Sequence, residues 1–126
     1  MIMNKDELLK YCCAKTKAYI DFPFGEIPIC IKIEKKIFAE IYPKPDNYKI
    51  TLKCEPMLAD FYRQMYPEIV VRGYHCPRSQ QPHRNTVYID KFDDNELIRM
   101  IDHSYEQVVK SLTKKIQKEL LMGKGA

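Results

Sequence analysis

The stretch between Glu68 and Asp90 carries three arginines and two histidines but no acidic residue. Because no carboxylate neutralises these donors, they predict a local positive surface. Arginines can bind phosphate oxygens there, and tyrosine or histidine rings can stack on bases or sugars. The alternative is a solvated loop with ordinary surface arginines. The residues predicted to bind a nucleic acid or another anion are Lys53, Arg72, Tyr74, His75, Arg78, His83, Arg84 and Asn85.

Three neighbouring residues, His75, Cys76 and His83, are of the types that bind zinc, which takes three or four nitrogen or sulfur ligands in proteins. Successive residues of a strand point to opposite faces, and this separates His75 from Cys76. No fourth ligand is evident nearby, because Cys54 is expected to face the core. The sequence therefore predicts no metal site.

Catalysis by a cysteine nucleophile would need Cys54 or Cys76 beside a histidine and an orienting carboxylate. The chain has only three histidines, and adjacency in sequence does not make side chains adjacent. The four glycines are scattered and form no phosphate-binding loop. We therefore expect no enzymatic activity and no cofactor.

Length and composition predict one globular domain. The chain has 126 residues, of which 45% are hydrophobic and 30% are charged. The net charge of +4 is evenly divided: eleven Lys or Arg face nine Asp or Glu in residues 1–63, and ten face eight in residues 64–126. Neither half is a basic tail, so any affinity for nucleic acid must come from clustering within the fold.

The five cysteines are an odd number without a C-x-x-C pair. The first ten residues lack the apolar core of a signal peptide, and no window is apolar enough to span a membrane. Free thiols without an export signal are typical of a reducing compartment. We therefore expect a cytoplasmic protein that has no membrane partner.

Two periodicities predict the elements that must position these residues. Apolar residues recur at helical spacing in residues 4–19, 56–66 and 93–112. Strands are predicted for residues 27–33, 37–42, 48–54, 69–75 and 85–90, mostly from alternation of apolar and polar residues. Residues 1–113 form the predicted single domain, and residues 114–126 a basic, flexible tail. The order α-β(3)-α-β(2)-α predicts an α+β fold, a two-layer α/β sandwich with helices on one face of a five-stranded antiparallel sheet.

Several short motifs also carry a family resemblance. These motifs are Leu52-Lys53-Cys54, Gly73-Tyr74-His75, His83, Asn85-Thr86-Val87 and Ile101-Asp102-His103-Ser104-Tyr105. On them the chain resembles the MmcQ/YjbR family over residues 38–112. The resemblance implies a bacterial protein with the same element order, likened to frataxin (CyaY) and to secretion chaperones, and with a double-wing DNA-binding shape. Relatives usually have His-Trp before Asn-Thr-Val, whereas this chain has His83-Arg84, which keeps a planar group but loses hydrophobic burial.

The functions of the two likened folds do not fit this chain. Iron delivery of the frataxin kind relies on an acidic ridge, but the first helix has Asp6 and Glu7 against four lysines, and such a surface repels iron. Secretion chaperones are typically acidic, and this chain is basic.

Two functional hypotheses follow from the basic stretch. The first is a nucleic-acid (DNA)-binding or regulatory module of weak sequence specificity, because no helix carries clustered Arg, Asn or Gln towards a major groove. The second is a module that binds a protein or a small anionic ligand without catalysis, using the same loop as an anion pocket. The slope of affinity against salt concentration discriminates between DNA and a small anion.

Overall fold

The computed structural model describes residues 3–73 and 76–124, and the backbone alone for residues 121–124. Four helices are present: α1 (Lys5–Cys13), α2 (Pro56–Met65), α3 (Asp94–Lys110) and α4 (Lys114–Lys124). Six strands are present: β1 (Tyr19–Asp21), β2 (Ile29–Ile33), β3 (Lys36–Lys44), β4 (Asn47–Lys53), β5 (Val70–Arg72) and β6 (Arg84–Tyr88). No helix in the described part of the chain is long and apolar enough to cross a membrane.

The strands form one antiparallel sheet in the order β1-β2-β3-β4-β6-β5. The antiparallel sheet is confirmed, but the prediction of five strands is wrong. Helix α1 ends at Cys13, and the following turn places Lys17 at a φ of 61°. The chain then forms β1, in which Tyr19 lies opposite Lys32. The predicted first helix extends to Tyr19, the first residue of β1, because no glycine or proline lies between Asn4 and Tyr19.

One face of the sheet forms the core with the helices. Its fully buried residues include Ile31, Ala39, Ile41, Ile50 and Val87. The helices contribute the buried residues Leu8 and Cys12 from α1, Ala59 from α2, and Leu97, Ile101 and Val108 from α3. Asp93 caps the N-terminus of α3, since its side chain accepts a hydrogen bond from the Glu96 backbone N–H at 3.0 Å.

The segment predicted as a flexible tail contains α4, whose Leu120 is buried in the core. Ile116 packs against the same core, so α4 extends the helical layer beyond residue 113. The mobility of this segment stays a prediction, as does the likeness to frataxin and to secretion chaperones.

Candidate functional site

The second face of the sheet, here called the open face, holds a cleft of about 600 Å³. Two loops border it: the β1–β2 loop (residues 22–28) and the β5–β6 loop (residues 73–83). The described residues that line this open-face cleft are Phe24, Ile27, Pro28, Ile37, Glu40, Tyr42, Lys44, Asn47, Lys49, Cys76, Pro77, Gln80 and Arg84.

Strand geometry places the polar residues of the floor. Glu40, Tyr42 and Lys44 alternate along β3 and therefore share one face. Tyr42 lies opposite Lys49 of β4 in the sheet register. Arg84 begins β6 and reaches the same face from the other side of β4. The cleft thus collects side chains from three neighbouring strands, of which β6 is distant in sequence from β3 and β4.

The floor of the cleft is predominantly cationic. Lys44, Lys49 and Arg84 line it, and Glu40 is the one carboxylate among its described residues. Burial raises the pKa of Glu40, although the charge of Arg84 and a hydrogen bond from the Tyr42 hydroxyl at 3.2 Å oppose that rise. A raised pKa shifts Glu40 towards its neutral form, which weakens its repulsion of an anion.

Lys49 places a positive charge at the base of the cleft. Its side chain is 3% exposed, and its ammonium lies 3.4 Å from the Asn47 amide oxygen. The ammonium also lies 5.4 Å from the centroid of the Tyr42 ring, within cation–π range. Burial lowers the pKa of Lys49, and the nearby charge of Lys44 lowers it further.

Besides the exposed Lys44, Arg84 presents an accessible cation at the cleft. Its side chain is half-buried, and its guanidinium makes no hydrogen bond or ion pair with any residue within 3–73 and 76–124. It lies beside Lys53, its register partner on β4. Burial lowers the pKa of Lys53, and the charge of Arg84 adds to the effect. Two adjacent cations favour an anionic partner, and their charge is opposed only in part by Glu40, on which the charge of Arg84 acts.

Gly73 allows the backbone to pack closely against Cys76 and Arg84 beside the cleft. Its backbone N–H donates to the Arg84 carbonyl at 3.0 Å, and its own carbonyl accepts from the Cys76 N–H at 3.3 Å. A Cβ at this position would lie 2.7 Å from the Cys76 sulfur and 3.0 Å from the Cβ of Arg84. Only glycine fits without displacing these atoms, which explains the residue at the start of the predicted site motif.

The arginines predicted as one site are divided between two places. Lys53 and Arg84 lie on the open face, whereas Arg72 and Arg78 are exposed around a separate hollow of about 290 Å³. Arg63 of α2 also lines that hollow. The structure therefore separates two groups of cations that the sequence placed in one loop.

The remaining predicted residues also differ in their surroundings. His83 is exposed in a short 3-10 helix, and its carbonyl accepts a hydrogen bond from the Cys54 N–H at 2.7 Å. Tyr74 and His75 lie outside the described residues. No group of three or more His, Cys, Asp or Glu side chains in the described ranges is arranged to hold a metal ion.

Asn85 faces the helices rather than the open face. It is fully buried, its amide oxygen accepts from the Arg63 guanidinium at 2.6 Å, and its amide nitrogen donates to the Ala59 carbonyl at 3.1 Å. Because successive strand residues alternate between faces, Asn85 and Arg84 point in opposite directions. The structure does not bring Asn85 to a surface with Arg84.

A YjbR family model matches residues 13–107. The chain belongs to the YjbR family. The resemblance found in the sequence is thereby confirmed. The chain is 29% identical over 120 residues to the uncharacterized protein YjbR of Escherichia coli K12, an alignment that covers 94% of this chain and 98% of the relative. The YjbR protein of Escherichia coli O157:H7 matches to the same extent.

Two solved structures share the fold of this YjbR-family chain. The crystal structure of Deinococcus radiodurans protein DR2400 superposes with a TM-score of 0.85 at 26% identity, covering 94% of this chain and 88% of that one. A crystal structure of a Pseudomonas syringae protein superposes with a TM-score of 0.63 at 21% identity, covering 81% and 96% of the two chains. The second likeness is in the fold alone.

Part of the YjbR-like motif in α3 has a structural role. The imidazole Nε2 of His103 accepts a hydrogen bond from the Glu55 N–H at 3.1 Å, at the N-terminus of α2. The buried hydroxyl of Ser104 accepts from the Lys53 N–H at 2.9 Å and donates to the Phe38 carbonyl at 2.5 Å. Both residues fix α3 to neighbouring elements and are absent from the lining of the cleft.

The flanking residues of the same motif fix α3 to the N-terminal segment. Asp102 accepts a hydrogen bond from the Tyr11 hydroxyl at 2.6 Å and forms an ion pair with Lys15. The Tyr105 hydroxyl donates to the Thr16 carbonyl at 2.8 Å. The YjbR-like motif in α3 therefore stabilises the packing of the helical layer and does not form a binding site.

Sequence reasoning missed Glu40, Tyr42, Lys49 and the apolar wall at Phe24. The polar residues that alternate with apolar ones along β3 and β4 were a usable signal, because they lie on the face of the sheet that no described helix covers. The pairing of Tyr42 with Lys49 was not readable, because it depends on the register between strands.

Proposed function

We propose that this YjbR-family protein is a non-catalytic binding module that holds a small anionic ligand in the open-face cleft. The observation that carries the proposal is the guanidinium of Arg84, which lines the cleft without an ion-pair partner among the described residues. Concave sites with a few convergent polar groups are the usual location of small ligands.

The charges of the cleft support an anion over a cation or a neutral ligand. Arg84 offers planar donors that match a carboxylate or a phosphate group. Lys49 adds a buried charge, and its field acts over a longer range in the poorly solvated base of the cleft. Burial raises the pKa of Glu40 and shifts it towards its neutral form, which reduces the opposing negative charge.

The surroundings of Cys76 in the cleft and of His103 in α3 support binding rather than catalysis. Burial raises the pKa of the Cys76 thiol, which disfavours the nucleophilic thiolate. The His103 imidazole accepts a backbone hydrogen bond in the helical layer, away from the cleft. A nucleophile activated by an adjacent base is therefore not formed by these residues.

Calorimetric titration with inorganic phosphate tests the proposal. Hydrogen bonds to charged groups contribute about 1.5–3 kcal/mol, so Arg84→Ala is expected to weaken binding roughly ten- to hundredfold. Arg78→Ala is the matched control, because Arg78 is an exposed arginine of the β5–β6 loop that does not line the cleft. Equal effects of the two substitutions, or no binding by the unaltered protein, would refute the proposal.

A second candidate function is a nucleic-acid-binding or regulatory module with weak sequence specificity. It is favoured by Arg72 and Arg78, which are exposed around the hollow of about 290 Å³ that no described carboxylate lines. Two exposed arginines at one edge of the sheet suit contacts with successive phosphates. A cytoplasmic location, which would give access to such a partner, stays a prediction.

The salt dependence of duplex binding tests the second candidate. Replacing Arg72 and Arg78 together by alanine should lower the slope of log affinity against log salt by about two units, one for each lost phosphate contact. Unrelated duplexes should lose affinity by similar factors. An unchanged slope would exclude these residues as phosphate contacts, and a loss confined to one sequence would contradict weak specificity.

A further inference from the structure

The open-face cleft has an apolar wall as well as a cationic floor. Phe24 and Ile27 of the β1–β2 loop line the cleft, and they remain 64% and 38% exposed. Pro28 and Pro77 continue the apolar lining on the two bordering loops. Exposed apolar side chains gathered at the rim of a concave site mark a surface that a partner covers.

The apolar wall and Arg84 lie at different ends of the floor. The β1–β2 loop leads into Ile29, which pairs with Ile41, so the wall lies near Tyr42. Arg84 instead pairs with Lys53 at the far end of β4. About three residues of β3 separate these two levels, which is about 10 Å along the strands at roughly 3.3 Å per residue, and the three strand spacings from β2 to β6 add about 14 Å across the sheet.

We infer that the ligand is an amphipathic anion, in which a phosphate or carboxylate group contacts Arg84 and an aromatic or apolar body packs against Phe24 and Ile27. This inference rests on the proposed function and specifies its ligand class. The Tyr42 ring lies on the floor beside the apolar wall and can pack against the apolar body. The volume of the cleft, about 600 Å³, is typical of small-molecule sites.

Two phosphate monoesters with the same headgroup test the anionic contact and the apolar contact separately. Methyl phosphate presents the anionic group alone, whereas 2-naphthyl phosphate adds a flat apolar body. Burial of about 100 Å² of apolar surface corresponds to a gain of roughly 50-fold, so calorimetry should show 2-naphthyl phosphate binding more tightly by about this factor.

Phe24→Ala should remove most of that preference while leaving the affinity for methyl phosphate unchanged. Phe61→Ala is the matched control, because Phe61 is an exposed phenylalanine of α2 that does not line the cleft. Arg84→Ala should weaken the binding of both esters. Circular dichroism of each variant checks that it remains folded, as expected for exposed or half-buried positions.

The outcomes distinguish this inference from the proposed function. If both esters bind with equal affinity and Phe24→Ala has no effect, the amphipathic ligand is wrong and the anion site stands. If neither ester binds, the anion site and this inference both fail. If 2-naphthyl phosphate binds but Arg84→Ala leaves its affinity unchanged, the anionic contact is wrong.

Discussion

Replacing Ser104 by alanine tests whether the YjbR-like motif in α3 is structural. The Ser104 hydroxyl is fully buried and satisfies two backbone groups, the Lys53 N–H at 2.9 Å and the Phe38 carbonyl at 2.5 Å. Alanine leaves both groups without that partner, and water cannot readily reach them. An unsatisfied buried polar group costs about 1–3 kcal/mol, which gives roughly 2–6 kcal/mol for the pair.

Other terms change this value little. Alanine has a higher helix propensity than serine by about 0.5 kcal/mol, and the lost oxygen leaves only a small void. For a chain of 126 residues, 1 kcal/mol lowers the melting midpoint by about 4 °C. We therefore expect the free energy of unfolding in urea to fall by about 2–5 kcal/mol, and the melting midpoint by roughly 8–20 °C.

Ser111→Ala is the matched control, because Ser111 is exposed at the end of the same helix. Its hydroxyl donates to the Val108 carbonyl at 2.6 Å and accepts from the Lys36 ammonium at 3.0 Å, and water can replace both contacts. We expect a loss below about 1 kcal/mol for this substitution. The reasoning is refuted if Ser104→Ala costs no more than Ser111→Ala, or if it abolishes anion binding in a protein that remains folded.

Three further predictions concern the loop, the cleft and the core. Gly73→Ala should lower the free energy of unfolding by about 1–3 kcal/mol and weaken phosphate binding, as measured by urea denaturation and calorimetry, because the new Cβ overlaps the Cys76 sulfur. Stability should fall as the pH rises from 4.5, the ordinary pKa of glutamate, through the raised pKa of Glu40, since the folded protein there binds more protons than the unfolded chain. The melting midpoint of the Glu40→Gln variant should not fall over this pH range. An identical pH profile for the variant and the unaltered protein would contradict the prediction. Ile101→Ala should cost about 2–5 kcal/mol in urea denaturation, and a loss below about 1 kcal/mol would place Ile101 outside the core.

The periodicity of the sequence predicted most of the fold because it follows local geometry. The isoleucines of β2 alternate with less apolar residues, and the apolar stripe of α3 recurs at helical spacing, so each could be read within one short window. Strand β1 could not be read in this way. Its three residues are too few to show a period, and the turn before it relies on Lys17 at positive φ rather than on glycine.

The candidate site was only partly readable, because it depends on contacts between distant segments. The basic stretch predicted that Arg84 binds an anion, but most of the polar residues around Arg84 in the cleft come from β3 and β4. Adjacent strand residues point to opposite faces, so the sequence of β6 was sufficient to place Arg84 and Asn85 on different faces. Both were nevertheless predicted as one site, because both lie at or beside the family motif. The exposure of Phe24 depends on the path of the β1–β2 loop, which no local pattern specifies.

The location of the bound anion tests the central claim most directly. In a ¹H–¹⁵N correlation spectrum recorded during titration with 2-naphthyl phosphate, the amide signals of Phe24, Tyr42, Lys49 and Arg84 should move together and saturate at one dissociation constant. Signals from α3 and from Arg78 should remain in place. Shifts confined to the edge of the sheet around Arg78, or to the helical layer, would contradict binding in the open-face cleft.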